Sequence, residues 1–330
     1  MSTRRSTGPT YTGCLPRHFL TGSELTRTEL SELLDRALEL KRAPHSSDAL
    51  ERRTVALIFQ RPSTRTRTSF EAGIVELGGH PMVLRTEDLQ LSRGESLRDT
   101  AYALSRHVVA IGIRTGPDEL VRELAEHASV PVVNMLTAGH HPCQALADLM
   151  TLKEAFGRLE GLAVAYVGDG NNVARSLAIL GTTAGVQVRI ASPNGYSLTE
   201  SPCEPASGSD IVSAPGSQAP AGVRLTHDPL EAVAGADAIY TDVWVSMNDD
   251  PDTAAQRIRA LAPYRVDDEL LDRGARHAFA LHCLPAHPGE EITPEVLYGA
   301  RQRIWEQAEN RRHAHKALLE FITSGQGEGP

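Results

Sequence analysis

The chain lacks the features that would mark a membrane, secreted or nucleic-acid-binding protein. None of its apolar runs approaches the ~20 residues that cross a bilayer. Its 4 cysteines, Cys14, Cys143, Cys203 and Cys283, are widely spaced in 330 residues. That argues against a disulfide framework and for a reducing, cytoplasmic compartment. Positive charge is in deficit, since 33 Lys+Arg against 42 Asp+Glu leave a formal net charge of −9. Nucleic-acid binders need a basic footprint, so that role is set aside; a small anionic substrate needs only a few local arginines. No repeat of solenoid length is present. Residues 1–16 hold no apolar core for a secretory signal, and flexible tails are expected there and at 326–330.

What is present is alternation. Thr26 with Glu29 forms a capping-box pattern, and Leu30, Leu33, Leu34, Ala37 and Leu38 follow as one helical stripe. Short apolar runs that read as buried strands recur at 55–59, 82–84, 108–113 and 130–133. Helical patterns lie between them, and a longer one over 142–156 carries Leu146, Leu149 and Leu152 and stops at Gly157. A second series has strands at 162–167, 186–191, 238–241 and 279–281, a helix at 172–185, and a closing helix from about 309 to 322. Between 192 and 222 the composition turns to Ser, Pro, Gly and Ala without periodicity, which reads as a loop or insertion. Such alternation predicts an α/β fold of two doubly wound domains, each a parallel sheet covered by helices. Ligands then bind in the cleft outside the carboxyl ends of the strands.

The residues after each strand are therefore the informative ones. After the first come Ser63, Thr64, Arg65, Thr66 and Arg67, a hydroxyl-rich helix start with two guanidinium forks suited to a phosphate. A capped helix with solvated arginines is the plainer alternative. Arg114 ends an otherwise apolar strand, where it either snorkels or meets an anion in the cleft. His141 and Gln144 can polarise a carbonyl and hold an amide without adding charge. Together with Cys143 they lack the spacing of a metal site, so no metal is expected. Gly168-Asp169-Gly170-Asn171-Asn172-Val173 is an incomplete dinucleotide fingerprint, and no acid follows for a ribose, so a nicotinamide dehydrogenase is disfavoured. Asp242 stands where it can pair with a ligand ammonium or serve as a turn aspartate. Cys283 is placed like a nucleophile, yet no relay partner is visible in the sequence.

These motifs, in this order, resemble the aspartate/ornithine carbamoyltransferase family. The resemblance is carried by Ser63-Thr64-Arg65-Thr66-Arg67, His141-Pro142-Cys143-Gln144, Asp242 with Ser246-Met247, and His282-Cys283-Leu284-Pro285. Gln90, Asn172 and Glu309-Asn310-Arg311 add to it. The Asp-x-Trp-x-Ser-Met and His-Cys-Leu-Pro runs favour the ornithine branch.

The resemblance implies transfer of a carbamoyl group from carbamoyl phosphate to the side-chain amine of L-ornithine, giving citrulline in arginine biosynthesis. It implies that Ser63, Thr64, Arg65, Thr66 and Arg114 hold the phosphate. His141, Gln144, Arg311 and the Cys283-Leu284 turn would hold the carbamoyl group, with Arg65, Arg114, His141, Cys283 and Arg311 catalytic. Asn172, Asp242, Ser246 and Met247 would bind ornithine. Gln90 would reach into a neighbouring subunit's site in a homotrimer. No metal and no organic cofactor is implied. The expected division is a carbamoyl-phosphate domain at 17–152, with a helix at 306–325 packing back on it, and an ornithine domain at 153–305. Alternatives are a paralogue acting on another diamino acid or diamine, and a non-catalytic sensor, which would show substitutions in the phosphate cluster. The chain departs from the family pattern at Ala138-Gly139-His140, at Asn248, at Pro288 and over 192–222. All these departures lie outside the carbamoyl phosphate set.

Overall fold

The computed structural model describes residues 16–90, 94–198, 222–245 and 251–324. The first helix, α1 (Arg27–Arg42), starts as its capping box requires: Thr26 accepts from the Glu29 N–H, and Glu29 accepts from the Thr26 N–H. A first series follows: β1 (Thr54–Phe59), α2 (Thr64–Glu76), β2 (His80–Arg85), α3 (Leu97–Leu104), β3 (Ala110–Arg114), α4 (Asp118–His127), β4 (Val132–Leu136) and α5 (Pro142–Phe156). The second comprises β5 (Ala163–Val167), α6 (Asn172–Thr183), β6 (Gln187–Ala191), β7 (Val223–Thr226), α7 (Pro229–Val233), β8 (Ala238–Thr241), α8 (Pro251–Leu261), α9 (Asp268–Asp272), β9 (Phe279–His282), α10 (Pro294–Leu297) and α11 (Ile304–Thr323).

The strands form two parallel sheets, in the orders β2-β1-β3-β4 and β7-β6-β5-β8-β9. Strand side chains alternate between faces, so both sheets are covered on two sides. Val55, Leu57 and Phe59 of β1 join one apolar cluster, while Ala56 and Ile58 join another on the opposite face. Val164 and Tyr166 of β5 share the cluster of Val55, whereas Ala165 and Val167 face the second sheet's own cluster. The large shared cluster includes residues of α1, α5, α6 and α11, so it ties the two sheets together. The expected α/β class with two parallel sheets is what the chain adopts.

Helix α5 runs over the expected residues and ends at Gly157, whose φ of 71° is the left-handed conformation that glycine adopts cheaply. Helix α11 begins at Ile304, ahead of the expected start near 309, because the Gln302 side chain accepts from the Ile304 N–H in place of an ordinary N-cap. It packs against α1, α2 and α5. Strand β7 and helices α7 to α10 were not foreseen in the sequence. Most of the 192–222 stretch lies outside the described residues, as do Ser246, Met247 and Asn248.

Candidate active site

The carboxyl ends of β1 and β3 aim at the same place. The chain leaves β1, and Ser63 caps α2 by accepting from the Thr66 N–H at 3.2 Å. The helix therefore offers its opening N–H groups and its positive dipole end to the cleft. Thr66, fully buried, is the meeting point of two arginines from distant elements. Its Oγ1 accepts from Arg311 Nη2 of α11 at 2.6 Å and from Arg114 Nη1 at the end of β3 at 3.4 Å. Arg65, half-buried, lies within electrostatic reach of both.

Three guanidinium groups thus share one small volume, and among the described residues none of the three forms an ion pair. Arg114 registers the strain most clearly: burial, then the charges of Arg311, Arg65 and Arg61, bring it down to about 10. Burial also lowers Arg65 and Arg311. Like charges gathered in this way repel one another, and a multivalent anion among them would offset that repulsion.

Arg67, expected beside Arg65 in the anion cluster, turns its Nε to Glu71 Oε1 at 2.8 Å. Two residues along a helix is about 200°, so Arg65 and Arg67 face opposite sides. Arg67 instead lines an open cleft of about 480 Å³ with Phe59, Ser63, Thr64 and Arg85.

His141 and Gln144 stand at the start of α5, and Arg311 stands on α11. Arg311 Nη1 donates to Gln144 Oε1 at 2.9 Å, joining the arginine cluster to α5. His141 stands at the start of α5, its backbone N–H donating to Ser176 Oγ of α6 at 2.7 Å. That bond links the two halves of the molecule. Burial first, and then Arg311 and Arg114, keep the His141 imidazole well below its usual value, so it is neutral at neutral pH. Among the described residues, its buried Nδ1 has no hydrogen-bond partner.

Opposite the arginines sits a pair from the second sheet. Cys283, after β9, donates its thiol to Asp242 Oδ1 at 2.8 Å; Asp242 directly follows β8. This is the partner that sequence spacing did not reveal. Burial and then the Asp242 charge push the thiol well above its ordinary value. A protonated thiol is a donor and a spacer; the nucleophile of cysteine enzymes is the thiolate. Asp242 also accepts from Asn171 Nδ2 at 2.7 Å, and Asn171 caps α6 through its oxygen. Asn172 reaches back across the cleft, donating to the Thr137 carbonyl at 2.6 Å.

The turn after Cys283 is held from beneath. Leu284 has a φ of 60°, a left-handed conformation costly for a branched side chain. Its N–H donates to His282 Nδ1 at 2.8 Å, and His282 Nε2 meets Glu291 Oε1 at 3.1 Å, both residues fully inside. The donor atoms of Asp242, His282 and Cys283 lie within 4.8 Å of one another, but each already has a protein partner. Gln90 is exposed on the loop after the edge strand β2. The segment before His141 folds around Asp118 of α4, which accepts from the Thr137 hydroxyl and meets His140 Nδ1 at 3.2 Å. Gly139 permits this, since a Cβ there would lie 2.1 Å from the Asp118 carboxylate.

Residues 17–154 match the family model described as aspartate/ornithine carbamoyltransferase, carbamoyl-P binding domain. Residues 160–322 match its companion, the Asp/Orn binding domain. The chain belongs to the aspartate/ornithine carbamoyltransferase family. It is 49% identical over 312 residues to the ornithine carbamoyltransferase of Acidothermus cellulolyticus, covering 94% of this chain and 98% of that one. The ornithine carbamoyltransferase of Anoxybacillus flavithermus is 46% identical over 92% of this chain and 95% of its own length. Among solved structures, that of ornithine carbamoyltransferase from Pyrococcus furiosus superimposes with a TM-score of 0.84 at 40% identity, covering 97% of this chain and all of that one. The Thermus thermophilus enzyme gives 0.81 at 42%, covering 94% and 100%. Among the described residues of this family member, no helix is long and apolar enough to cross a membrane.

Proposed function

We propose that the protein transfers the carbamoyl group of carbamoyl phosphate to the side-chain amine of L-ornithine, releasing citrulline and phosphate, as a step of arginine biosynthesis in the cytoplasm. The observation that carries this reading is the convergence of Arg65, Arg114 and Arg311 on the first turn of α2, facing the Asp242–Cys283 pair. The guanidinium groups and the free N–H groups of α2 take the phosphate, with Ser63, Thr64 and Thr66 as hydroxyl neighbours. His141, Gln144, Arg311 and the Cys283–Leu284 turn take the carbamoyl group. Asp242 and Asn172 take the amino and carboxylate groups of ornithine, with Ser246 and Met247 beside them.

In the reaction the neutral amine attacks the carbamoyl carbon. The new N–C bond forms as the C–O bond to phosphate breaks, and the amine proton passes to a phosphate oxygen. An alkyl amine is mostly protonated at neutral pH, as Lys is, so the site must select the neutral form. The arginine cluster stabilises the charge that grows on the leaving phosphate. A neutral His141 and the Arg311 guanidinium polarise the carbonyl. Cys283, kept protonated, orients the amine beside Asp242 and forms no covalent intermediate. Seating both reactants across one cleft converts their meeting into an effectively unimolecular step. The chemistry calls for no metal and no organic cofactor.

We assign carbamoyl phosphate to the unit at 17–152 together with the closing helix, and ornithine to 153–305. We also propose a homotrimer in which Gln90 serves a neighbour's site. Its exposure on the loop after the edge strand β2 supports that arrangement. The test is a panel of amines supplied with carbamoyl phosphate, read by phosphate release and by the carbamoylated product. Turnover with ornithine above all other amines is expected. Turnover only with another diamine or diamino acid would move the protein to the paralogous reading that the sequence departure at Ala138–His140 leaves in view.

A further inference from the structure

One fully buried ionisable group in the cleft has no place in that account: Asp148, on α5 one turn after Gln144. Its Oδ1 accepts from Gln144 Nε2 at 2.8 Å and from Gln307 Nε2 of α11 at 2.6 Å. Each of those amides has its oxygen committed elsewhere. Gln144 Oε1 accepts from Arg311, and Gln307 Oε1 accepts from the His282 backbone N–H at 2.9 Å. A guanidinium and a backbone N–H can only donate. Both glutamines must therefore turn oxygen towards them and NH2 towards a group that accepts. Asp148 supplies that acceptor for both at once. From there the chain of bonds runs one way through Arg311 to Thr66, and the other way through His282 to the Cys283–Leu284 turn.

We infer that Asp148 is a positioning residue: one carboxylate oxygen orients Gln144 against Arg311 and Gln307 against the His282 backbone, and so holds the carbamoyl phosphate arm and the Cys283 arm in one register. The inference rests on the carbamoyl-transfer reading. It separates the acceptor from the charge. Arg311 of α11, Tyr240 of β8 and Cys283 after β9 face the carboxyl group, and burial raises it to about 7 despite its two amide donors. At neutral pH the charge is therefore only partly present, while an acceptor oxygen is present in either form. An Asn at this position keeps one carbonyl oxygen with two lone pairs. A Leu keeps the volume and leaves both NH2 groups without a partner, a loss that buried amides do not tolerate.

The experiment compares Asp148→Asn, Asp148→Leu and Gln307→Leu in the full chain. Thermal unfolding checks folding, steady-state kinetics give kcat and KM for both substrates, and calorimetry gives the carbamoyl phosphate dissociation constant. Asp148→Asn is expected to keep each parameter within about threefold, because the acceptor survives. Asp148→Leu is expected to lose about 100-fold in kcat/KM, the scale of a 1 Å misplacement, and to weaken carbamoyl phosphate binding about tenfold. Gln307→Leu frees only the Cys283 arm, so it should lower kcat and raise the amine KM, while weakening carbamoyl phosphate binding less than Asp148→Leu does. A folded Asp148→Leu protein with wild-type kinetics overturns the inference, as does an Asp148→Asn protein as damaged as Asp148→Leu. If Asp148→Leu does not fold, Gln307→Leu decides, and an unchanged kcat in that variant overturns the inference. A wild-type protein that does not carbamoylate ornithine would sink the reaction assignment instead. The carbamoyl phosphate dissociation constants of the Asp148 variants would still read the positioning role.

Discussion

Replacing Arg114 by Met separates stability from binding. Arg114 is brought from 12.5 to about 10 by burial and by three neighbouring arginines. A cation whose folded pKa lies below its unfolded value destabilises the fold at every pH below the folded value, and the penalty fades only as pH rises above it. A shift of about 2.5 units at 1.36 kcal/mol per unit gives about 3 kcal/mol as the upper bound. Met keeps most of the apolar stem and removes the charge. The ligand-free variant should therefore unfold at a higher temperature, by at most about 6–12 °C at roughly 2–4 °C per kcal/mol. Binding should move the other way. Losing one charged hydrogen-bonding partner costs about 1.5–3 kcal/mol, or about 10- to 100-fold in carbamoyl phosphate affinity. Scanning calorimetry with and without carbamoyl phosphate, together with titration calorimetry, measures both. A lower melting temperature combined with affinity within about threefold of wild type would refute the claim of a strained anion site, since a charge-free site escapes both costs.

Arg65→Ala should abolish measurable carbamoyl phosphate binding, and near-normal affinity by calorimetry would contradict the site. Asp242→Asn should raise the ornithine KM at least about tenfold, the order of one charged hydrogen bond, and leave carbamoyl phosphate affinity unchanged; the reverse pattern would overturn the division of roles. The buried imidazoles of His141, His313 and His315 all have lowered values, with His313 near 4. Lowered histidines contribute stability above the unfolded value near 6.5 that is lost as pH falls towards the folded value. The melting temperature should therefore drop progressively from about pH 6.5 to about pH 4, and a flat profile over that window would argue against buried neutral histidines.

Much of the scaffold was legible because local chemistry and global packing agree. The capping box at Thr26, the Pro142–Gly157 helix and the apolar runs of β1, β5 and β8 are each stated within a few residues. The elements that escaped are four or five residues long, like β7, α7, α9 and α10, too short to show a period, or lie beside an irregular stretch, like α8. The site was legible where charge stands at a strand end, as with Arg114 and Asp242. It was illegible where partners come from far along the chain: Cys283 and Asp242 are 41 residues apart, and Gln144 and Arg311 are 167 apart. Asp148 was hidden by its neighbours, because Leu146, Leu149 and Leu152 make α5 read as apolar. The signal it left was an amide and a carboxylate four residues apart on that buried helix. Arg67 misled for the opposite reason, since adjacency in sequence hid its place on the far face of α2.

The most direct measurement is a crystal structure of the protein with a bisubstrate analogue joining a phosphonate to ornithine. The phosphonate oxygens are expected on the opening N–H groups of α2 and on Arg65, Arg114 and Arg311, with the amino acid end at Asp242. A phosphonate seated in the open cleft beside Arg67 and Arg85, away from Arg114 and Arg311, would contradict the site assignment.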